Sequence, residues 1–436
     1  MKKLFAFLTV LIILATAVAA CGTPTVAPVE ATQAPVEATQ PPVATGGCPE
    51  GDVCVEVGAD EPVTIAYALV VSGSDAQLGQ DSRCGIMVAI KDKGTVLGHS
   101  IDLIGEDTLC SAEGGQTAAQ KLASNDKIAG IVGTSCSSEA RAALPVLCAQ
   151  SIPMVSPSNT AVDLTVADRP ADYWCYLRTA HSDSIQGKAM ADYAYTAFGA
   201  KTAATCHDGS IYADQLQQVF ATRFIELGGT ITAQEAVAPT DTDMKPMLTS
   251  VAAGSPDFFY YPIFVAAGAQ ITSQAKQVPG MENVQLAGAD GIFTPDFLGA
   301  SGEAVIGFLW SSPDLTKLGP TYQTDFIPSY EELCGNKPTN VFHAHAYDAA
   351  NMILAGIEKV GIQNADGSLT IPRKKLIEAL FQTANFSGLT GNLTCTATGD
   401  CADPKIAVYQ AQSADPASWN PGDCDTCNPK KIWPTD

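Results

Sequence analysis

The chain has 436 residues, with 24 Lys plus Arg against 46 Asp plus Glu and a formal net charge of −22 with histidines neutral. So anionic a chain repels phosphates and carries few cations with which to release counterions, which excludes nucleic acid as a partner unless a concentrated basic patch exists, and no run supplies one. Hydrophobic residues make up 46% and charged residues 16%, which implies a large buried core and excludes wholesale disorder, and the length suits two domains or two lobes.

In chain order, Lys2 and Lys3 precede an apolar run from Leu4 to Val18 that ends at small residues, so residues 1–20 read as an export signal. The run is shorter than the roughly 20 residues a membrane-spanning helix needs, and no later stretch reaches even that length without a polar interruption. Val18-Ala19-Ala20-Cys21 resembles the bacterial lipobox, which implies lipidation of Cys21 and a membrane anchor; ordinary cleavage at a small-residue site is the alternative. The heptapeptide APVEATQ at residues 27–33 recurs at 34–40. Proline and small polar residues leave little to bury, so residues 21–60 are expected to form a semi-flexible spacer with a reach of about 30 Å or more.

From Glu61 onward, short β-rich runs alternate with helical stretches, the pattern of parallel sheets covered by helices. The predicted strands are Val63 to Val71, Ser100 to Glu106, Ile128 to Val132 and Ile152 to Val155, then Lys201 to Cys206, Thr230 to Ala236, Asp257 to Tyr261 and Val284 to Ala287. Leu216, Val219, Phe220, Phe224 and Leu227 recur three or four apart, an apolar helical face starting near Ser210. The fold class is therefore α/β, with two doubly wound parallel-sheet lobes and a cleft between them. Ligands of such sheets sit beyond the carboxyl ends of the strands. Two loops there are rich in small hydroxyl residues: Gly133-Thr134-Ser135-Cys136-Ser137-Ser138 and Ser156-Pro157-Ser158-Asn159-Thr160. Each reads either as a helix cap, with Thr160 and Asp163 spaced as in a capping box, or as half of a shared anion site.

These segments, with Glu106-Asp107-Thr108-Leu109-Cys110, Ile152-Pro153-Met154-Val155, Leu177-Arg178-Thr179, Phe258-Phe259-Tyr260-Tyr261 and Gly288-Ala289-Asp290-Gly291, resemble the bacterial solute-binding proteins for branched-chain amino acids. The resemblance runs from about Glu61 to Gln410. It implies a periplasmic-binding-protein-like receptor of an ATP-driven uptake system, whose lobes close by a hinge on a small zwitterion and present it to the permease subunits of an ABC transporter. It places 61–180 and 309–385 in lobe I, 181–308 and 386–412 in lobe II, and a Cys-containing tail at 413–436. The crossings are expected near Arg178 to Asp183, Phe308 to Pro313 and Asn385 to Gly391.

By the same resemblance, Ser137 holds the ligand carboxylate with Ser158 and Thr160 as partners, while Tyr212 and Asp290 come from the other lobe, Asp290 pairing with the ammonium. Leu78 and Phe264 stand where the family leads one to expect an aromatic and a tyrosine, which opens the side-chain specificity to amides, urea or aromatic acids. The implied protein is a monomeric extracytoplasmic binding protein with no cofactor, no metal and no catalytic residues.

Fourteen cysteines, spread along the chain rather than grouped as metal ligands, suit an oxidising compartment. With Cys21 lipidated, thirteen remain, so one thiol is left over. The resemblance joins Cys110 to Cys136. Cys395 with Cys401 and Cys48 with Cys54 are short-range candidates, Cys424 and Cys427 are structural and open to a bond with Cys334, and Cys84, Cys148 and Cys206 read equally as buried thiols. His343 and His345 are two apart, a poor spacing for a metal on a helix, and His207-Asp208 beside Ser210 reads as helix capping. A sensory receptor of the same fold is the competing class. A hydrolase acting on amides would need a nucleophile or metal constellation that the sequence does not assemble.

Overall fold

The structure is a computed structural model that describes residues 47–435. The signal segment, Cys21 and most of the expected spacer lie outside the described residues. No described helix is long and apolar enough to cross a membrane.

The first half holds β1 (Cys54–Val57), β2 (Val63–Leu69), α1 (Ala76–Lys93), β3 (Thr95–Val96), β4 (His99–Asp107), α2 (Ala112–Ala123), β5 (Ile128–Gly133), α3 (Ser137–Ala149), β6 (Met154–Ser156) and β7 (Tyr176–Arg178). Next come α4 (Asp183–Asp192), β8 (Thr202–His207), α5 (Ile211–Glu226), β9 (Thr230–Ala236), α6 (Lys245–Ala253), β10 (Phe258–Tyr260), α7 (Val265–Ala275), β11 (Gln285–Gly288), α8 (Pro295–Ser301) and β12 (Leu309–Pro313). The chain ends with α9 (Ile327–Cys334), α10 (His343–Val360), β13 (Ile362–Gln363), β14 (Leu369–Pro372), α11 (Arg373–Phe381), β15 (Phe386–Ser387), β16 (Asn392–Leu393), β17 (Ile406–Gln410) and β18 (Lys430–Trp433).

Two larger sheets organise these elements. The first has the order β3-β4-β2-β5-β6-β7 and the second β18-β17-β12-β11-β10-β8-β9. Within each, five parallel strands follow the doubly wound order 2-1-3-4-5, with β2 first in chain order in one and β8 in the other. Strand β5, IAGIVG, is buried at every residue, as a parallel strand covered on both faces must be. One face of the first sheet packs on α1 and α10 through Ile86, Ala89, Ile353 and Ile357. Its other face packs on α2 and α3 through Leu122, Leu144 and Leu147. In the second lobe Leu216, Phe220 and Phe224 of α5 sit in the core, as the helical periodicity predicts, and Ser210 caps that helix by accepting from the Ala213 amide at 3.2 Å.

The boundaries fall elsewhere than the resemblance placed them. The spacer does not run to residue 60: β1 pairs antiparallel with β14, and a disulfide joins Cys48 to Cys54. Strand β12 belongs to the second sheet, so that crossing follows Pro313 rather than preceding it. The third crossing lies between Cys401 and Ile406 instead of near 385–391. Leu393 and Cys401 pack in the first lobe's core, and the Asp348 carboxylate on α10 accepts from the Leu389 and Thr390 amides at 2.8 and 2.9 Å. The expected tail at 413–436 is built in, since β18 pairs with β17 at the edge of the second sheet.

Disulfides join Cys110 to Cys136 and Cys395 to Cys401, and further bonds join Cys84 to Cys334, Cys148 to Cys175 and Cys424 to Cys427. The bond from Cys334 goes to Cys84, not to the tail. Cys206 is the free cysteine among the described residues, and it is buried.

Candidate functional site

The carboxyl ends of the two sheets face each other across a cleft. From the first lobe, the loop after β5 leads through Ser135 and Cys136 into α3, and the loop after β6 carries Ser158 and Thr160. The hydroxyls weld these two loops together: Ser158 Oγ donates to the Ser135 carbonyl at 2.9 Å, Ser156 Oγ donates to the Thr134 carbonyl at 2.8 Å, and Ser137 Oγ accepts from the Ala161 amide at 3.2 Å. Arg178, fully buried at the end of β7, binds the Asn159 and Ala161 carbonyls at 3.2 and 2.8 Å and pairs with Asp400, which pins the loop bearing Thr160. Below them the Cys110–Cys136 disulfide fixes the start of α3. Glu139 accepts from the Cys136 amide at 2.8 Å, and complete burial pushes its carboxyl up to about 8. The Glu139 amide bonds the Cys136 carbonyl at 3.1 Å, while the Ser137 and Ser138 amides ahead of it have no intrahelical acceptor, so this end of the cleft suits a carboxylate.

The expected Thr160–Asp163 capping box does not form. The segment after Thr160 is a single 3-10 turn at Val162–Leu164, Asp163 pairs instead with Arg141, and Thr160 Oγ1 is buried without a partner. A lone turn offers too few orphan amides to repay a cap, and Thr160, unlike Ser137 and Ser158, does not line the cavity between the lobes.

The second lobe supplies Tyr212 at the start of α5, Phe264 before α7 and Asp290 after β11. Tyr212 Oη donates to Asp290 Oδ1 at 2.7 Å and accepts from the Gly291 amide at 3.1 Å, and its ring lies 5.4 Å from that of Phe264. Burial and the Asp290 charge push the Tyr212 phenol far above its ordinary range, so it stays a donor. Asp290 Oδ2 has no hydrogen bond, with His181 Nε2 3.2 Å away. Leu78, Ser135, Cys136, Ser137, Ser158, Tyr212, Phe264, Asp290 and Gly291 line one small cavity with Phe342. Its free space is about 10 Å³, room for one water molecule, so the cleft is shut in this arrangement. Gly79 beside Leu78 has a steric reason: a Cβ there would lie 1.9 Å from the Val70 carbonyl oxygen, so only glycine lets α1 approach β2 closely enough to bring Leu78 in.

Sequence reasoning missed three contributors. Phe342, at the start of α10, stacks near His181 with ring centroids 6.4 Å apart, and no local motif marks it. His181 and Asp183 lie inside the first predicted crossing, and Ser182 and Asp183 open α4. Both Asp183 carboxylate oxygens are buried without a hydrogen bond, and burial together with the Asp290 charge raises that carboxyl to about 7. His345 is held neutral by burial, down to about 3, and its Nδ1–H donates to the Thr179 carbonyl at 2.9 Å. His343 bonds Asp81 and Tyr322, at 2.9 and 2.7 Å. The two histidines therefore serve different networks, as their spacing suggests. The arrangement offers amide and hydroxyl donors at one end, the buried carboxylates of Asp183 and Asp290 at the other, and a ring and Leu wall between them.

Residues 62–416 match a family described as periplasmic binding protein. A leucine-, isoleucine-, valine-, threonine- and alanine-binding protein of Pseudomonas aeruginosa is 25% identical over 355 residues, which cover 81% of this chain and 90% of that one. Among solved structures, a leucine-binding protein of Thermotoga maritima MSB8 is 28% identical with a TM-score of 0.72, covering 81% of this chain and 96% of that one. A branched-chain amino acid transporter substrate-binding protein of Streptococcus pneumoniae, solved with isoleucine, is 21% identical and shares the fold at a TM-score of 0.70, covering 82% and 97%.

Proposed function

This chain belongs to the periplasmic binding protein family, and on that premise we propose that it captures a small amino acid outside the cytoplasm and hands it unchanged to the permease of an ABC uptake system. The observation that carries this reading is the pairing of opposite chemistries across one cleft. The start of α3 and its hydroxyl loops offer donors to a carboxylate. Asp290 Oδ2 and the buried Asp183 carboxylate offer negative charge to an ammonium. Each charge-assisted hydrogen bond contributes about 1.5 to 3 kcal/mol, and three or four of them with modest apolar burial reach the roughly −8 kcal/mol of a micromolar complex after ordering costs.

Ser137, Ser158 and Thr160 hold the carboxylate end and its loops, Asp290 holds the ammonium, and Leu78, Tyr212, Phe264 and Phe342 shape the side-chain wall. With so little space in the shut cleft, the lobes part to admit the amino acid and close again upon it. The chain acts as a monomer, held to the membrane through lipid on Cys21 after removal of residues 1–20, and needs no cofactor. The relatives and the absence of a catalytic constellation in the cleft support binding without chemistry.

A panel of L-amino acids and amides tested for raising the melting temperature is the direct test, since a ligand at 100 times its Kd stabilises by about 2.7 kcal/mol. For the amino acid that binds, Asp290→Ala is expected to lower affinity about 10²- to 10³-fold by removing one partner of a buried charge pair. An unchanged Kd refutes the site assignment, and release of ammonia refutes binding without chemistry.

A further inference from the structure

Asp75 stands at the N-cap of α1, the position where an aspartate ordinarily accepts from its own helix, yet its side chain makes no bond to α1. It reaches across the cleft instead, and Oδ1 accepts from the Val265 amide at 3.3 Å, while Ser74 Oγ donates to Oδ2 at 2.9 Å. Val265 is the first residue of α7 in the second lobe. That helix has no cap of its own: its N-cap residue is Phe264, which carries no acceptor, and its first turn holds no acidic residue. A carboxylate of one lobe thus fills the vacant cap of a helix in the other, where both the orphan amide and the positive end of the helix dipole favour it.

Other bonds across the cleft join neutral groups, the Asp163 amide to Gln215 Oε1 at 3.3 Å, the Ile211 amide to Ser138 Oγ at 3.5 Å and Asn340 Nδ2 to the Phe293 carbonyl at 3.3 Å, while the Asp296 carboxylate of α8 accepts from the Gln77 side chain of α1. Asp75 contributes a charge-assisted bond made directly to a helix start, and charge-assisted bonds are roughly twice as strong as neutral ones. Asp208 of the second lobe adds a like charge opposing it, and is itself occupied by accepting from the Ser210 amide at 3.0 Å.

We propose that Asp75 is a positioning residue that latches the closed cleft: it caps α7 from the opposite lobe and thereby sets Phe264, one residue ahead of the capped amide, as the cavity wall. Opening breaks this bond while leaving every bond within either lobe intact, so its free energy enters the open–closed equilibrium rather than the stability of either lobe. The residence time of a bound amino acid is where it is read.

The test uses the mature protein with L-leucine as probe, and that arm rests on the binding reading above. Stopped-flow measurement on Asp75→Ala is expected to show dissociation about 3- to 30-fold faster, the span of a lost helix cap, with an unchanged association rate. Its melting temperature without leucine stays within about 2 °C of the parent, because the side chain caps nothing in its own lobe. Asp75→Asn, which keeps an acceptor at the same atom, restores dissociation to within about twofold of the parent. An unchanged dissociation rate in Asp75→Ala, or a melting temperature that collapses, overturns the latch. Small-angle scattering needs no amino acid and separates the two proposals. If the parent binds nothing in the panel, the binding reading fails, and the latch stands or falls on whether Asp75→Ala has a larger radius of gyration than the parent.

Discussion

Set side by side, the two lobes repeat one strand order but are held together by different chemistry. Five of the six described disulfides, Cys48–Cys54, Cys84–Cys334, Cys110–Cys136, Cys148–Cys175 and Cys395–Cys401, tie the first lobe, where the core is mostly aliphatic. The second lobe has only Cys424–Cys427 at its edge among the described residues, and its interior holds two aromatic clusters, one of Phe220, Phe224, Phe258 and Tyr260 and one of Phe293, Phe297, Phe308 and Trp310. The first lobe is built from two separate stretches of chain, which the Cys84–Cys334 bond ties together. The second is assembled chiefly from one stretch, residues 181–313, and large rings suffice to bury it. Covalent ties and apolar burial can thus substitute for one another beneath the same topology.

Reduction is the strongest way to break this symmetry. The Cys84–Cys334 bond spans 250 residues, and the loop-entropy account credits such a closure alone with about 5 to 6 kcal/mol. In a reducing buffer, hydrogen exchange is expected to show β2, β5 and α3 losing protection while β8, β10 and β11 keep theirs. Equal loss in both sheets would mean that the lobes unfold as a single unit. The converse experiment is Phe220→Ala, which leaves a cavity beside Phe224 and Tyr260 and is expected to cost about 3 to 5 kcal/mol. Its denaturation should begin in the second lobe, and a loss below about 1 kcal/mol would show that the ring stack does not carry that lobe.

The same contrast governs what could be read from the sequence. Both sets of βα units, the α5 stripe and the two hydroxyl loops were legible because each rests on local periodicity or on residues adjacent in the chain. Ser137, Ser158, Tyr212, Phe264, Asp290 and Leu78 do converge on one cavity. The lobe boundaries were less legible, since β12, β17 and β18 are short and their sheet membership depends on partners far away. Phe342 and Asp183 escaped because neither has a local signature. One enters from a helix more than 150 residues beyond the hinge loop, and the other looks like any aspartate at a helix start.

The smallest expected effect concerns pH. Glu139 and Asp348 in the first lobe are raised by burial to about 8 and about 6, and Asp183 at the head of α4 to about 7. The folded state therefore keeps protons that the unfolded chain releases, so this stabilisation is complete below the ordinary carboxylate range and is lost as pH rises through about 6 to 8. The melting temperature is expected to fall by a few degrees from pH 5 to pH 8. Glu139→Gln, which preserves an acceptor for the Cys136 amide, should flatten that slope, and an unaltered slope would exclude Glu139 as its source.

The lone thiol of Cys206 sits on β8 at the heart of the aromatic lobe, fully shielded, with burial pushing its ionisation far upward. In a chain whose Cys21 is replaced, an alkylating reagent finds no other free sulfur among the described residues. Labelling then becomes a chemical clock for one half of the molecule, ticking only when that half comes apart, and it can time the aromatic lobe while the cross-linked one stays silent.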